Sequence, residues 1–160
     1  MSPIKPVFLL WLSFLLAACA AQPFREPISA TTIIEIPNAK KEALFQRTEI
    51  WMKENFKIGD SEVVMTEPKQ ARIIGKNKSM LWREVGLVFY VWYSLKVETK
   101  DGKIRVTSTI TDTTFVTTND MNSHHSYMDD KIIKSANQHI QNTINQLVNN
   151  LKQPTLKSDW

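Results

Sequence analysis

The chain has 160 residues, with 20 basic and 16 acidic side chains for a formal charge of +4, one cysteine and four glycines. A lone cysteine excludes an intramolecular disulfide, and four glycines leave no glycine-rich phosphate loop. A mild basic excess spread along the chain is not a nucleic-acid footprint. The length suits one domain whose core can hold without covalent staples.

The N-terminus carries a single charged residue, Lys5, followed by an apolar run over residues 7–18 that ends in Ala17 and Ala18. A basic start, a short apolar middle and small residues at its end are the layout of a secretory signal. A spanning helix needs roughly 20 apolar residues, so this run is too short to be one. The sequence Leu16-Ala17-Ala18-Cys19 resembles the lipobox of bacterial lipoproteins. That resemblance implies cleavage before Cys19, a lipid joined to its sulfur as a thioether, and acylation of the new N-terminus. Each buried methylene contributes roughly 0.8 kcal/mol, so two or three acyl chains hold a protein firmly to a membrane. Ala20 follows the cysteine in place of the aspartate that favours inner-membrane retention. The same resemblance therefore implies the outer membrane, facing the periplasm, in a Gram-negative host. Residues 19–30 contain two prolines and no periodicity, and are expected to be a lipidated tether.

The β-branched stretch over residues 31–36 predicts a strand that Pro37 ends. Asn38 is then placed to cap a helix over residues 39–56, with Leu44, Thr48, Trp51 and Asn55 on one face and Gly59 as its stop. Two short strands, over residues 62–66 and 71–76, are expected around Pro68, with a bulge at Gly75. Stretches 87–99 and 103–115 flank Asp101-Gly102, a preferred two-residue hairpin turn. That turn sets Val97 opposite Val106, Leu95 opposite Ser108 and Tyr93 opposite Ile110. It also brings Glu98 to Arg105 on the other face.

A final helix is expected over residues 127–151. Its apolar stripe runs through Ile132, Ala136, Ile140, Ile144, Leu147 and Leu151, its start is signalled by Ser126 and Asp129, and Pro154 lies beyond its end. The opposite face, from Asn137 to Asn150, is nearly all amide and reads as a neutral solvated surface. The order β-α-β-β-β-β-α predicts an α+β domain of two layers, an antiparallel sheet packed on two helices. The division is residues 1–18 signal peptide, 19–30 lipidated cysteine and tether, 31–152 folded domain and 153–160 tail.

Three segments carry a family resemblance. They are Ile34-Glu35-Ile36 with Asn38-Ala39-Lys40-Lys41-Glu42-Ala43-Leu44-Phe45 and Trp51-Met52; Ile73-Ile74-Gly75-Lys76; and Lys100-Asp101-Gly102-Lys103-Ile104-Arg105. Together they resemble an uncharacterised bacterial envelope lipoprotein domain family, a domain of unknown function with a TBP-like fold. The resemblance implies the element order already reached. It transfers no catalytic residue and no nucleic-acid partner, because a fold does not fix a function.

Residue chemistry narrows the task. His124, His125 and Asp129, with Asp130, form the one segment with metal-ligand residue types. Zinc sites need three or four converging ligands, and neighbours in sequence often point apart. A polar loop with helix capping accounts for the segment, and no metal or other cofactor is expected. His139 sits beside the apolar stripe as a boundary residue. No local motif marks a nucleophile, and lipidation would consume the only thiol.

The aromatic strand offers more. If Leu87, Phe89, Val91, Tyr93 and Leu95 face the helices, then Val88, Tyr90 and Trp92 decorate the outer face and form a docking patch for a partner. The competing reading has the 77–85 segment, with Met80, Leu81 and Trp82, folding back to cover them. The leading expectation is a non-enzymatic, membrane-anchored binding or assembly module whose partner is an envelope protein, a second copy or a glycan. The alternatives are a small envelope hydrolase or metal-dependent enzyme using His124, His125 and Asp129, and a carrier of lipid or small ligand between the last helix and the sheet.

Overall fold

Alternating β-branched and aromatic residues over the middle of the chain produce one antiparallel sheet, and two amphipathic helices cover one of its faces. The structure is a computed structural model that describes residues 27–56, 61–126 and 129–153, with the backbone alone over residues 120–124. The expected signal segment, Leu16 to Cys19, Gly59 and Pro154 lie outside the described residues, as does the expected tether up to residue 26.

The elements are β1 (Ile28–Glu35), α1 (Lys41–Asn55), β2 (Glu62–Glu67), β3 (Arg72–Glu84), β4 (Leu87–Lys100), β5 (Lys103–Thr117), β6 (Asp120–Ser126) and α2 (Asp130–Lys152). A short 3-10 turn, Pro68–Gln70, joins β2 to β3. The sheet runs β1-β5-β4-β3-β2, and β6 also pairs with β5. β1 takes the first part of β5 and β6 the last, so the two lie end to end along the same edge. The α+β two-layer architecture is as expected, with β6 as a sixth strand that the sequence reading did not include.

The β4–β5 hairpin has the expected register, with Val97 opposite Val106, Leu95 opposite Ser108, Tyr93 opposite Ile110 and Glu98 opposite Arg105. Gly102 takes a positive φ of 72°. Thr111 is the extra residue of a bulge beyond Tyr93, which shifts the pairing by one towards Leu87.

Several boundaries differ from expectation. β1 begins at Ile28, so the last three tether residues belong to the sheet. Asn38 does not cap α1; it holds a left-handed turn after Pro37 at φ 64°, a conformation asparagine tolerates. The helix N-terminus is served from elsewhere: Lys41 N–H donates to Asp101 Oδ1 in the hairpin turn at 2.8 Å. The bulge expected at Gly75 lies on the neighbouring strand at Val64. Gly75 is small for a different reason, since a Cβ there would sit 2.5 Å from Phe56 Cδ2 and 2.7 Å from Met52 Cε. The last helix starts at Asp130 with Asp129 alone as its cap, accepting the Ile132 N–H at 2.7 Å, while Ser126 belongs to β6.

The core lies between the sheet and the helices. Leu44, Trp51 and Met52 of α1 and Ile140, Ile144 and Leu147 of α2 close over Ile73, Val91, Tyr93, Leu95, Val97 and Val106. Burying a side chain of that size contributes about 1.5–3 kcal/mol. β2 pairs with β3 only as far as Lys76, so the stretch from Asn77 to Glu84 has β4 on one side and no described strand on the other. Along that edge the Lys78 N–H donates to Ser61 Oγ at 3.2 Å, and a bulge at Leu81 interrupts the strand.

Candidate functional site

Side chains alternate across a strand, and both helices lie on one side, so every second residue of β4 points away from the core. Val91, Tyr93, Leu95 and Val97 are buried inward, whereas Tyr90, Trp92, Ser94, Lys96 and Glu98 line the outer face at partial exposure. The 77–85 segment does not fold over this face. It is the distal half of β3 and the turn that follows, paired in plane with β4. Lys78 lies opposite Trp92 in that register, and its Nζ sits 5.0 Å from the Tyr90 ring centroid and 4.6 Å from that of Trp92. Such cation–π contacts contribute about 0.5–1 kcal/mol at exposed sites and hold the two rings beside a fixed positive charge.

On the other side of Trp92, Asp112 accepts from Ser126 Oγ at 2.8 Å and from the Thr113 N–H at 2.7 Å. Thr114, opposite Tyr90, has a buried Oγ1 with no hydrogen-bond partner among the described residues. Val88 corrects the expected patch. It is 2 % exposed and stands directly between Val116 and Arg83 in the register. Val116 beside it is 4 % exposed, so both valines are closed off and Val88 offers nothing to a partner. Met80, opposite Tyr90, is 52 % exposed and takes its place.

Away from the rings the outer face is polar apart from the exposed Ile33. Ser29 and Thr109 share a hydrogen bond at 2.8 Å, and Thr31 and Thr107 one at 3.1 Å. Arg72 Nε donates to Glu67 at 2.6 Å, and Arg105 holds Glu98 with two hydrogen bonds of 2.8 and 2.9 Å. Those bonds from Arg105, with its charge, keep the Glu98 carboxyl below its ordinary pKa against the opposing effect of burial. A depression of about 220 Å³ near the Asp101-Gly102 turn is rimmed by these same two residues and Ile33.

The covered face holds an arrangement that the sequence reading missed. Trp82, Phe89, Phe115 and His125 stand in one row across β3, β4, β5 and β6. Successive ring centroids are 4.6, 5.9 and 4.9 Å apart, and Lys131 Nζ lies 5.4 Å from the Trp82 centroid. Only the registers of β3 and β6 bring these rings together, and no spacing along the chain announces it.

The candidate metal segment is not assembled among its described side chains. Asp129 is committed to capping α2, and His125 stacks on Phe115. The His124 side chain lies outside the described ones. Among the described residues no three histidine, cysteine or acidic groups are placed to hold a metal ion. His139 meets Tyr93 edge-on at 6.3 Å, and burial pushes its pKa below the ordinary value. Tyr93 Oη accepts from Asn77 Nδ2 at 2.8 Å and lies 3.4 Å from Thr143 Oγ1, so this buried phenol is satisfied within the core. The space between α2 and the sheet, where the alternative carrier reading would place a ligand, holds Tyr93, Leu95, Ile140, Ile144 and Leu147.

Comparison with known proteins gives the fold a family context. A family model described as a domain of unknown function (DUF4468) with TBP-like fold matches residues 31–113. The crystal structure of a TBP-like protein from Parabacteroides distasonis superposes with a TM-score of 0.63 at 13 % identity, covering 82 % of this chain and 97 % of its own. That of a DUF4468 family protein from Bacteroides ovatus gives 0.60 at 12 % identity, covering 84 % and 92 %. No curated protein matches the sequence.

Proposed function

The chain belongs to the DUF4468 family of TBP-like domains, and from that premise we propose that it is a lipid-anchored, non-enzymatic binding module of the cell envelope. Its contact surface is the outer sheet face around Tyr90 and Trp92. The observation that carries this reading is a six-stranded sheet with both helices on one side. Its other side presents two partly exposed aromatic rings ordered by Lys78. Such a face is unusual on a free surface, because the outward positions of a solvated antiparallel strand are ordinarily polar.

The anchor rests on Leu16-Ala17-Ala18-Cys19 and the short apolar run before it, and Ala20 favours the outer membrane of a Gram-negative host. The reading as a hydrolase or metal enzyme draws on Asp129 and His125, whose side chains already have structural tasks.

Hydroxyl-radical footprinting tests the contact surface. Tyr90 and Trp92 should be oxidised more slowly in intact envelopes than in the purified, detergent-solubilised protein, while exposed residues of α1 are unchanged. Equal oxidation rates in the two preparations would refute the proposed surface. The mass of the N-terminal peptide tests the anchor, which requires Cys19 to be residue one and to carry acyl chains.

A further inference from the structure

The geometry points to the occupant of that surface: the outer-face strip beside the β3–β4 turn rests on an anionic phospholipid surface, that of the membrane holding the lipid on Cys19. This deepens the proposed function and rests on its anchor.

The first support is where the tether enters. β1 starts at Ile28, opposite Ile110, which stands opposite Tyr93, so the tether joins the sheet one row from Trp92 and only two strands away. β1 runs from this middle row towards the Asp101-Gly102 turn, so its start faces the end that holds the β3–β4 turn. The far end, with the Asp101-Gly102 turn and α1's start, points the opposite way. From Cys19 to Ile28 there are nine residue steps, a reach of at most about 30 Å. From the Tyr93 row to the turn at Val85 is about 26 Å at roughly 3.3 Å per residue. A lipid on Cys19 can therefore sit in the bilayer that this turn touches.

The second support is the chemistry of that end. Val85 is fully exposed at the tip, and Met80, on the fourth rung beside Tyr90, is half-exposed. Tyr90 and Trp92 follow, and rings with one apolar and one polar edge settle at the interface of a bilayer. Lys78 and Arg83 supply positive charge among them, which anionic lipid attracts. The carboxylate of Glu84 at the tip is paired with Lys131 at 3.5 Å. Apolar tip, interfacial rings and flanking cations together match a phospholipid surface.

Lipidation makes the test direct, because it leaves the mature protein without a free thiol. The full chain carrying Val85→Cys, and a second carrying Ile50→Cys on α1, are expressed, processed and labelled with an environment-sensitive fluorophore. Each is reconstituted into vesicles of phosphatidylcholine alone or with phosphatidylglycerol. The Val85→Cys label should shift to the blue and lose quenching by aqueous acrylamide when phosphatidylglycerol is present, and the Ile50→Cys label should not. Adding Lys78→Glu and Arg83→Glu should abolish the response. A Val85→Cys label that stays fully quenchable on both vesicles overturns the proposal. So does protection by isolated cell-wall sacculi in place of vesicles, which would make the occupant a glycan. Failure of the anchor is distinguishable, because unmodified Cys19 would take up a second equivalent of label.

Discussion

The two faces of β4 are built from one run of residues and behave as two different surfaces. Inward, Val91, Tyr93, Leu95 and Val97 are closed off by α1 and α2. Outward, Tyr90, Trp92, Ser94, Lys96 and Glu98 interact chiefly with their neighbours in the sheet through cation–π contacts and ion pairs. The inner face spends its residues on packing, where volume decides, and the outer face keeps groups whose value lies in what they can still touch. A period of two is enough to separate stability from contact along a single strand.

Substitutions can break or sharpen that contrast. The largest effect belongs to the inner face: Leu95→Ala should destabilise by about 2–5 kcal/mol, read from the urea midpoint, because the helices cannot collapse onto the vacated space. A cost near zero would mean that the inner face is loosely packed. Gly75→Val should cost about 1–3 kcal/mol by forcing Phe56 and Met52 outward.

On the outer face, Tyr90→Ser with Trp92→Ser should cost only about 1 kcal/mol in thermal unfolding, while removing the response to envelope contact. A loss as large as that of Leu95→Ala would show that the rings are core and not contact surface. The smallest effect separates the two faces by pH. Burial lowers the folded-state pKa of His139, so its contribution is complete above the ordinary histidine value of about 6.5 and is lost as the pH falls towards the folded value. Urea midpoints at pH 7.5 and 5.5 should differ more in the parent than in His139→Gln.

The parts of the fold that were legible in sequence are those whose signals are local. Asp101-Gly102 and the alternation on either side set the β4–β5 register, and Glu98 with Arg105 agreed with it. The α2 stripe and its aspartate cap were equally plain. What escaped depends on distant partners. β6 is a polar segment that becomes a strand only because β5 extends beyond β1. The cap of α1 comes from Asp101, sixty positions away, so the nearby Asn38 was the wrong choice. Of the proposed contact surface, the outward places of Tyr90 and Trp92 followed from alternation. Val88 did not, because its burial depends on Val116 and Arg83, and the place of Arg83 followed only from the register of β3.

The distal half of β3 has one further consequence. For a chain held in a membrane plane, as proposed, encounters between copies are far more frequent than in bulk, and an open strand edge invites them to zip together. This edge resists copying: Leu81 breaks its hydrogen-bond register, and Lys78 and Arg83 set charges along it. Two-dimensional crowding can therefore rise without the sheets growing into one another, and each domain keeps its outer face for the surface below.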